Sequence, residues 1–173
     1  AVAHALRLVE EGADLLDIGA ESTRPGADPV DEAEERRRAI PVVAAVAKAV
    51  RVPISIDTSK VSVAEAALDA GAVLVNDVTA LRGDPAMVEV IARTGAGIVL
   101  MHMSGTPRTM QQTPCYEDVV GEISAFFEER IRFAMSRGVV KKQIVLDPGI
   151  GFGKLLEHNL TLLAQLEGFT GLG

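Results

Sequence analysis

The chain has no tryptophan, one tyrosine, five phenylalanines and a single cysteine among its 173 residues. With 48% of residues hydrophobic but only 3% aromatic, the core must be aliphatic, built from Val, Ile, Leu and Ala. The lone thiol, Cys115, excludes an intramolecular disulfide, and no Cys/His spacing resembles a zinc site. Basic residues are in the minority: 17 Lys and Arg against 24 Asp and Glu leave a net charge of −7. That balance argues against a general binder of nucleic acid or of membrane surfaces. No apolar run reaches the ~18 residues of a bilayer-spanning helix, and no signal-peptide pattern opens the chain. Low-complexity tracts and linkers are also missing, so the length points to one soluble, cytoplasmic domain.

What the chain does have is repetition. Five short apolar runs are predicted as strands near residues 13–18, 53–57, 73–76, 97–101 and 144–147. Each ends in polar groups: Asp17 to Arg24 after the first, Asp57 after the second, Asn76-Asp77 after the third, His102 after the fourth and Asp147 after the fifth. Helical patterns separate them. The chain opens on a helix from Ala1 to Glu11, closed by Gly12. A second runs from Asp31 to Val50, with Pro41 predicted to kink or break it. Ser62-Val63-Ala64-Glu65 reads as a capping box, and Asp84-Pro85 opens a fourth helix. The longest is predicted from about Tyr116 to Ser136, and the last from about Asn159 to Leu166.

Apolar strands alternating with amphipathic helices predict an α/β fold with a parallel sheet. When such units form a (β/α)₈ TIM barrel, the carboxyl ends of the strands build the active site. A complete barrel needs ~250 residues. Five strands in 173 residues therefore predict a partial barrel, about strands 2–6 with their helices, in one incomplete domain spanning residues 1–173. The first strand and the last two are expected to be missing.

Three groups of residues carry candidate chemistry. Cations stand in every strand-end loop: Arg24, Lys60, Arg82, Arg108 and Lys154. Around one mouth they would suit an anionic ligand such as a phosphate or diphosphate, or they are ordinary solvated loop residues. Asp57, Asn76 and Asp147 end three different strands. A carboxylate matches an N–H beside an NH₂ on a flat heterocycle, and an amide adds one donor and one acceptor. That set suits a guanidine-like ring edge, as in a pterin or guanine. A carboxylate metal site is the competing reading, without a His spaced to complete it. Gly149-Ile150-Gly151-Phe152-Gly153-Lys154 matches neither G-x-G-x-x-G nor the P-loop spacing. Its glycines would let the backbone approach a ligand, with Phe152 against a planar substrate. His102 reads as structural or supporting, Cys115 as an inert thiol, and His4 and His158 as surface or cap residues.

These motifs resemble the dihydropteroate synthase family over nearly the whole chain. Asp17-Ile-Gly-Ala-Glu-Ser-Thr-Arg-Pro-Gly26 is similar to its most distinctive motif, with Ala20 where many members have a second Gly. Ser55-Ile-Asp-Thr-Ser-Lys60, Val75-Asn-Asp77, Leu100-Met-His-Met103 and Leu146-Asp-Pro-Gly-Ile-Gly-Phe-Gly-Lys154 resemble its next four strand ends, in order. The resemblance implies condensation of 6-hydroxymethyl-7,8-dihydropterin diphosphate with p-aminobenzoate to 7,8-dihydropteroate and diphosphate. It implies that Asp57, Asn76 and Asp147 hold the pterin, with Met101 on its ring. Thr23, Arg24 and Pro25 would belong to a loop over the p-aminobenzoate and diphosphate region, Thr23 and Arg24 as catalytic residues, and Pro25 and Phe152 would contact p-aminobenzoate. It further implies Mg²⁺ with the diphosphate, its main ligand expected in the absent first strand, and a homodimer at full length. The absent last strands would carry a Lys for the pterin and an Arg and a His for diphosphate, so residues 1–173 alone are expected to be inactive. A pterin-binding paralogue without activity, the pterin domain of a corrinoid-dependent methyltransferase and a phosphate-sugar barrel enzyme remain as alternatives.

Overall fold

A computed structural model describes residues 1–23, 27–106 and 108–172. Five parallel strands lie side by side in chain order: β1 (Leu16–Gly19), β2 (Ile54–Asp57), β3 (Leu74–Asp77), β4 (Gly97–Met101) and β5 (Ile144–Asp147). Six α-helices alternate with them: α1 (Val2–Glu10), α2 (Glu32–Ala49), α3 (Val61–Asp69), α4 (Met87–Thr94), α5 (Val119–Ser136) and α6 (Leu156–Ala164). The architecture is an open, partial (β/α)₈ barrel, and the strand positions agree with the sequence reading to within three residues.

Side chains alternate between the two faces of a strand, and the register makes the division plain. One face carries Ile54, Ile56, Val75, Ile98 and Leu100, all buried under the helices. Val43 and Val46 of α2, Val63 and Ala67 of α3, Met87 and Ile91 of α4, and Ile123 and Phe127 of α5 complete this core. It is aliphatic, as the shortage of aromatics requires. The other face carries Asp17, Gly19, Ser55, Asp57, Asn76, Val99, Met101, Val145 and Asp147. Gly19 stands beside Asp57, Asp57 beside Asn76 and Asn76 beside Val99, with Met101 beside Asp147 one rung nearer the carboxyl ends.

Several local expectations are corrected. Pro41 neither breaks nor divides α2, which runs unbroken from Glu32 to Ala49. Asp31 caps it by accepting from the Glu34 N–H at 2.9 Å. The capping box at Ser62 does not form. Helix α3 begins at Val61, so Ser62 falls inside its first turn, and its hydroxyl is buried without a partner among the described residues. Glu65 instead pairs with Arg93 of α4 at 2.6 Å. Asp118 caps α5 by accepting from the Gly121 N–H, so that helix starts three residues later than its periodicity suggests. Asp84 ties down a turn before α4 through the Ala86 N–H instead of capping the helix.

Candidate active site

The carboxyl ends of the strands bring the sequence candidates together. Asp57, Asn76 and Asp147 share the inner face, each at the end of its strand. A cavity of about 390 Å³ opens beside Asp57, walled by Glu21, Ser22, Thr23, Glu35, Thr58, Ser59, Thr79 and Arg108 among others. Thr23 therefore lines the same space as Asp57. Arg24 and Pro25 lie outside the described residues.

Asp57 sits in a crowd of carboxylates. Burial, then the charges of Asp17, Glu35, Asp77 and Glu21, push its carboxyl up to about 7. All four of those neighbours have partners of their own. Glu35, wholly buried on α2, accepts from the Thr58 hydroxyl at 2.6 Å and from the Lys60 ammonium. Lys60 also donates to Glu21, whose other oxygen accepts from the Val30 N–H at 3.3 Å. Asp77 faces the helices, accepting from the Thr79 N–H and hydroxyl and from the Leu81 N–H; burial still raises its pKa. Those bonds hold Ala80 and Leu81 at φ of 52° and 63°, a left-handed turn unusual for residues with a Cβ.

Asp17, Ser55 and Asn76 form a second network across three strands. The Ser55 hydroxyl donates to one oxygen of Asp17, and the Asn76 amide donates to the other at 3.0 Å. Sequence reasoning gives no role to Glu35, Thr58, Asp17 or Ser55. Alternation would have placed Asp17 and Ser55 on the face of Asp57. Glu35 gave no signal, being one acid in an acidic helix.

The glycine loop after β5 is held from several sides. The Gly149 N–H donates to Asp147 at 2.7 Å, and Gly149 has φ of +68°. A Cβ there would overlap the His102 carbonyl oxygen. Gln111 donates to the Gly151 carbonyl, Tyr116 to that of Gly153, and Asn159 accepts from the Gly151 N–H. Lys154, only 3% exposed, donates to the carbonyls of Phe152 (2.9 Å) and His102 (3.2 Å) and lies 3.1 Å from His102 Nδ1. Burial lowers the Lys154 pKa to about 8, partly opposed by Asp147. Burial and then the Lys154 and Arg82 charges take His102 down to about 3. His102 is thus a neutral structural partner, as read from sequence. Phe152 and Met101 pack with Val78, Met103 and Met110 in a small apolar cluster, Met101 being covered there.

The ring of cations needs correction. Lys60 is committed to two carboxylates and Lys154 is buried. Arg82 donates to the Thr79 and Met103 carbonyls and lies over the Phe126 ring. Among the described residues Arg108 is paired only with the exposed Asp28 at 2.9 Å, a weak solvent-screened pair, so it can turn to an anion in the cavity it lines.

The comparisons agree with this geometry. The model of the pterin binding enzyme family matches residues 1–172. The chain belongs to that family. Among individual relatives, the chain is 46% identical over 169 residues to the dihydropteroate synthase of Escherichia coli K12, covering 98% of the chain and 60% of the relative. It is 49% identical over 168 residues to that of Neisseria meningitidis serogroup C, covering 96% and 59%. A Yersinia pestis dihydropteroate synthase in complex with a sulfonamide drug superposes with a TM-score of 0.93 at 46% identity, over 97% of this chain and 61% of that one. The Thermus thermophilus enzyme in complex with 4-aminobenzoate gives 0.90 at 53% identity, over 100% and 65%. The chain thus spans about 60% of the length of the curated relatives it matches.

Proposed function

We propose that this chain provides the pterin-holding strands of a dihydropteroate synthase. It would condense 6-hydroxymethyl-7,8-dihydropterin diphosphate with p-aminobenzoate, giving 7,8-dihydropteroate and diphosphate. The observation that carries this reading is the placement of Asp57, Asn76 and Asp147 on the inner face at the carboxyl ends of one sheet, with Asp57 and Thr23 lining one cavity there.

The chemistry suits such a site. The methylene C–O bond breaks and its electron pair leaves with diphosphate. The cation left behind is delocalised into the electron-rich ring. The arylamine nitrogen then forms the new C–N bond and loses a proton. This needs a held ring, a stabilised leaving group and excluded water more than a strong acid or base. In the proposal Asp147 and Asp57 accept ring N–H groups, Asn76 adds an amide, and the half-buried Phe152 gives an apolar wall backed by the covered Met101. Thr23, Arg24 and Pro25 serve the p-aminobenzoate and diphosphate side, with Arg108 as an available cation.

Mg²⁺ with the diphosphate belongs to the proposal through family likeness. Among the described residues no group of three or more His, Cys, Asp or Glu side chains could hold a metal ion. None of them is therefore given a ligand role, and no step is routed through the ion. The homodimer and the cytoplasmic location rest on likeness alone. Among the described residues no helix is long and apolar enough to cross a membrane.

Calorimetric titration with the pterin diphosphate, followed by addition of p-aminobenzoate, tests the reading. Saturable pterin binding that weakens roughly 10–150-fold in Asp147→Asn is the expected result, an amide being mismatched to a ring N–H pair. Absence of pterin binding would overturn it. Binding without turnover in a full-length barrel would favour the paralogue that lacks activity.

A further inference from the structure

Lys60 joins the chain after β1, the start of α2 and the start of α3. Its backbone N–H donates to the Thr58 hydroxyl at 3.1 Å, and the residue stands at the N-terminal cap of α3, so the root of its side chain is fixed. Its ammonium donates to one oxygen of Glu35 on α2 and to one oxygen of Glu21, two residues beyond β1. The other Glu35 oxygen accepts from the Thr58 hydroxyl at 2.6 Å, and the other Glu21 oxygen accepts from the Val30 N–H at 3.3 Å. Solvent-exposed ion pairs contribute little. Glu35 is wholly buried, however, and a buried carboxylate keeps its place only with its partners. Glu21 and Val30 bracket the stretch that leaves β1 and enters α2. One carboxylate therefore ties both ends of that stretch, and Lys60 fastens it to the buried Glu35. Thr23 lies inside the bracket and lines one cavity with Asp57.

We infer that Lys60 is a positioning residue: through Glu21 it holds Thr23 at the cavity beside Asp57, and so sets the affinity for the arylamine without touching it. The inference rests on the dihydropteroate synthase reading above, in which Thr23 serves the p-aminobenzoate side. A ligand phosphate would have to displace two carboxylates from Lys60, one of them buried, so this charge is committed within the protein. Asp57, Asn76 and Asp147 sit on the strands themselves, in a register set by the backbone ladder and not by this tie. Release of the tie is therefore felt by the arylamine and spares the pterin. Charge is the competing influence, because Glu35 and Glu21 also act on Asp57. Removing Lys60 alone changes the field there. Removing the charges of Lys60 and Glu35 together breaks the tie and keeps the net charge of the three.

The test uses the full-length barrel, with steady-state kinetics in which each substrate is varied in turn. The variants are Lys60→Met and the pair Lys60→Met with Glu35→Gln, which keeps an oxygen for the Thr58 hydroxyl and leaves no buried charge unpaired. In both, KM for p-aminobenzoate should rise about tenfold or more while KM for the pterin diphosphate stays within about threefold, since small misplacements beside reacting groups are costly. Hydrogen–deuterium exchange at the Val30 amide should quicken by about tenfold or more. An unchanged KM for p-aminobenzoate in the paired variant would overturn the inference, as would equal losses for both substrates. An effect in Lys60→Met that vanishes in the pair would assign it to charge at Asp57 and overturn the inference too. So would unchanged exchange at Val30. Failure of the proposed function looks different: the unsubstituted barrel would make no dihydropteroate whatever the exchange at Val30, and the arylamine role of Lys60 would fall with it.

Discussion

At the scale of single residues, the half-buried Asp57 and the buried Lys154 make opposite statements about pH. Asp57 has its carboxyl raised from 3.8 to about 7, chiefly by burial. The folded state holds its proton more tightly, so its contribution is full below pH 3.8 and is lost as pH rises through about 7. Asp57→Asn cannot titrate. Its melting temperature relative to the unsubstituted protein should therefore climb between pH 4 and pH 8, and a flat difference would contradict the burial of this carboxyl. Lys154 is lowered from 10.5 to about 8, again chiefly by burial. Its stabilising contribution is present above pH 10.5 and is lost as pH falls through about 8. Lys154→Met should cost about 2–3 kcal/mol by leaving two carbonyls and a ring nitrogen short of a donor. Urea unfolding should show a larger loss at pH 10 than at pH 7. Of these two groups, sequence exposed Asp57 through its place at a strand end. The role of Lys154 was hidden, because a lysine after a glycine loop looks the same whether it meets solvent, a phosphate or two carbonyl oxygens.

At the scale of elements, the strands were legible and the helix starts were not. A buried parallel strand is an apolar run that ends abruptly, and all five did so in the sequence. Helix starts depend on which polar side chain reaches a free N–H, and spacing alone does not decide that. Ser62 with Glu65 had the right spacing, yet Val61 began the helix and Glu65 was drawn off by Arg93. Asp118 was the effective cap of α5. Asp118→Ala should lower stability by about 1 kcal/mol, measured by thermal or urea unfolding, while Ser62→Ala should leave it unchanged or raise it, since its buried hydroxyl has no partner to lose. Gly149→Ala belongs here as well, because it tests how β5 meets the end of β4. A left-handed residue and an overlap with the His102 carbonyl should together cost at least about 2 kcal/mol. The same change should weaken pterin binding, since Asp147 is tied to the Gly149 N–H.

At the scale of the whole molecule, the sequence disclosed the inner face only in part. Period-two alternation put Asp57, Asn76 and Asp147 on one side, but the helices packed behind the sheet also reach its carboxyl ends, and no alternation reports on α2. Glu35 illustrates this: it reaches Thr58 and Lys60 because α2 packs against β1 and α3, which brings its first turn beside the loop after β2. The open sheet has a second consequence. Val145 of β5, Leu156, Leu160 and Leu163 of α6, and Leu166 just after it are all exposed, Leu156 to 74%. At ~25 cal/mol per Å² such surface favours contact over water. Residues 1–173 studied alone should self-associate, with a sedimentation coefficient that rises with concentration. The pair Leu156→Glu and Leu160→Glu should reduce that dependence. A monomer at all concentrations would show that this face is content in water.

The order in which the strands lie has a consequence for how the molecule is made. Each strand pairs with the strand just before it in the chain, so no part of the sheet waits for a distant segment. Contacts of low sequence separation form quickly, and a chain leaving the ribosome can add one βα unit at a time to a finished neighbour. The network of Asp17, Ser55 and Asn76 is complete once β3 has docked, about halfway through synthesis of these residues. Asp147 arrives on the last strand. The proposed recognition surface would therefore be assembled from its Asn76 side toward its Asp147 side, with the hydrogen bonds of Asn76 in place before Asp147 is made.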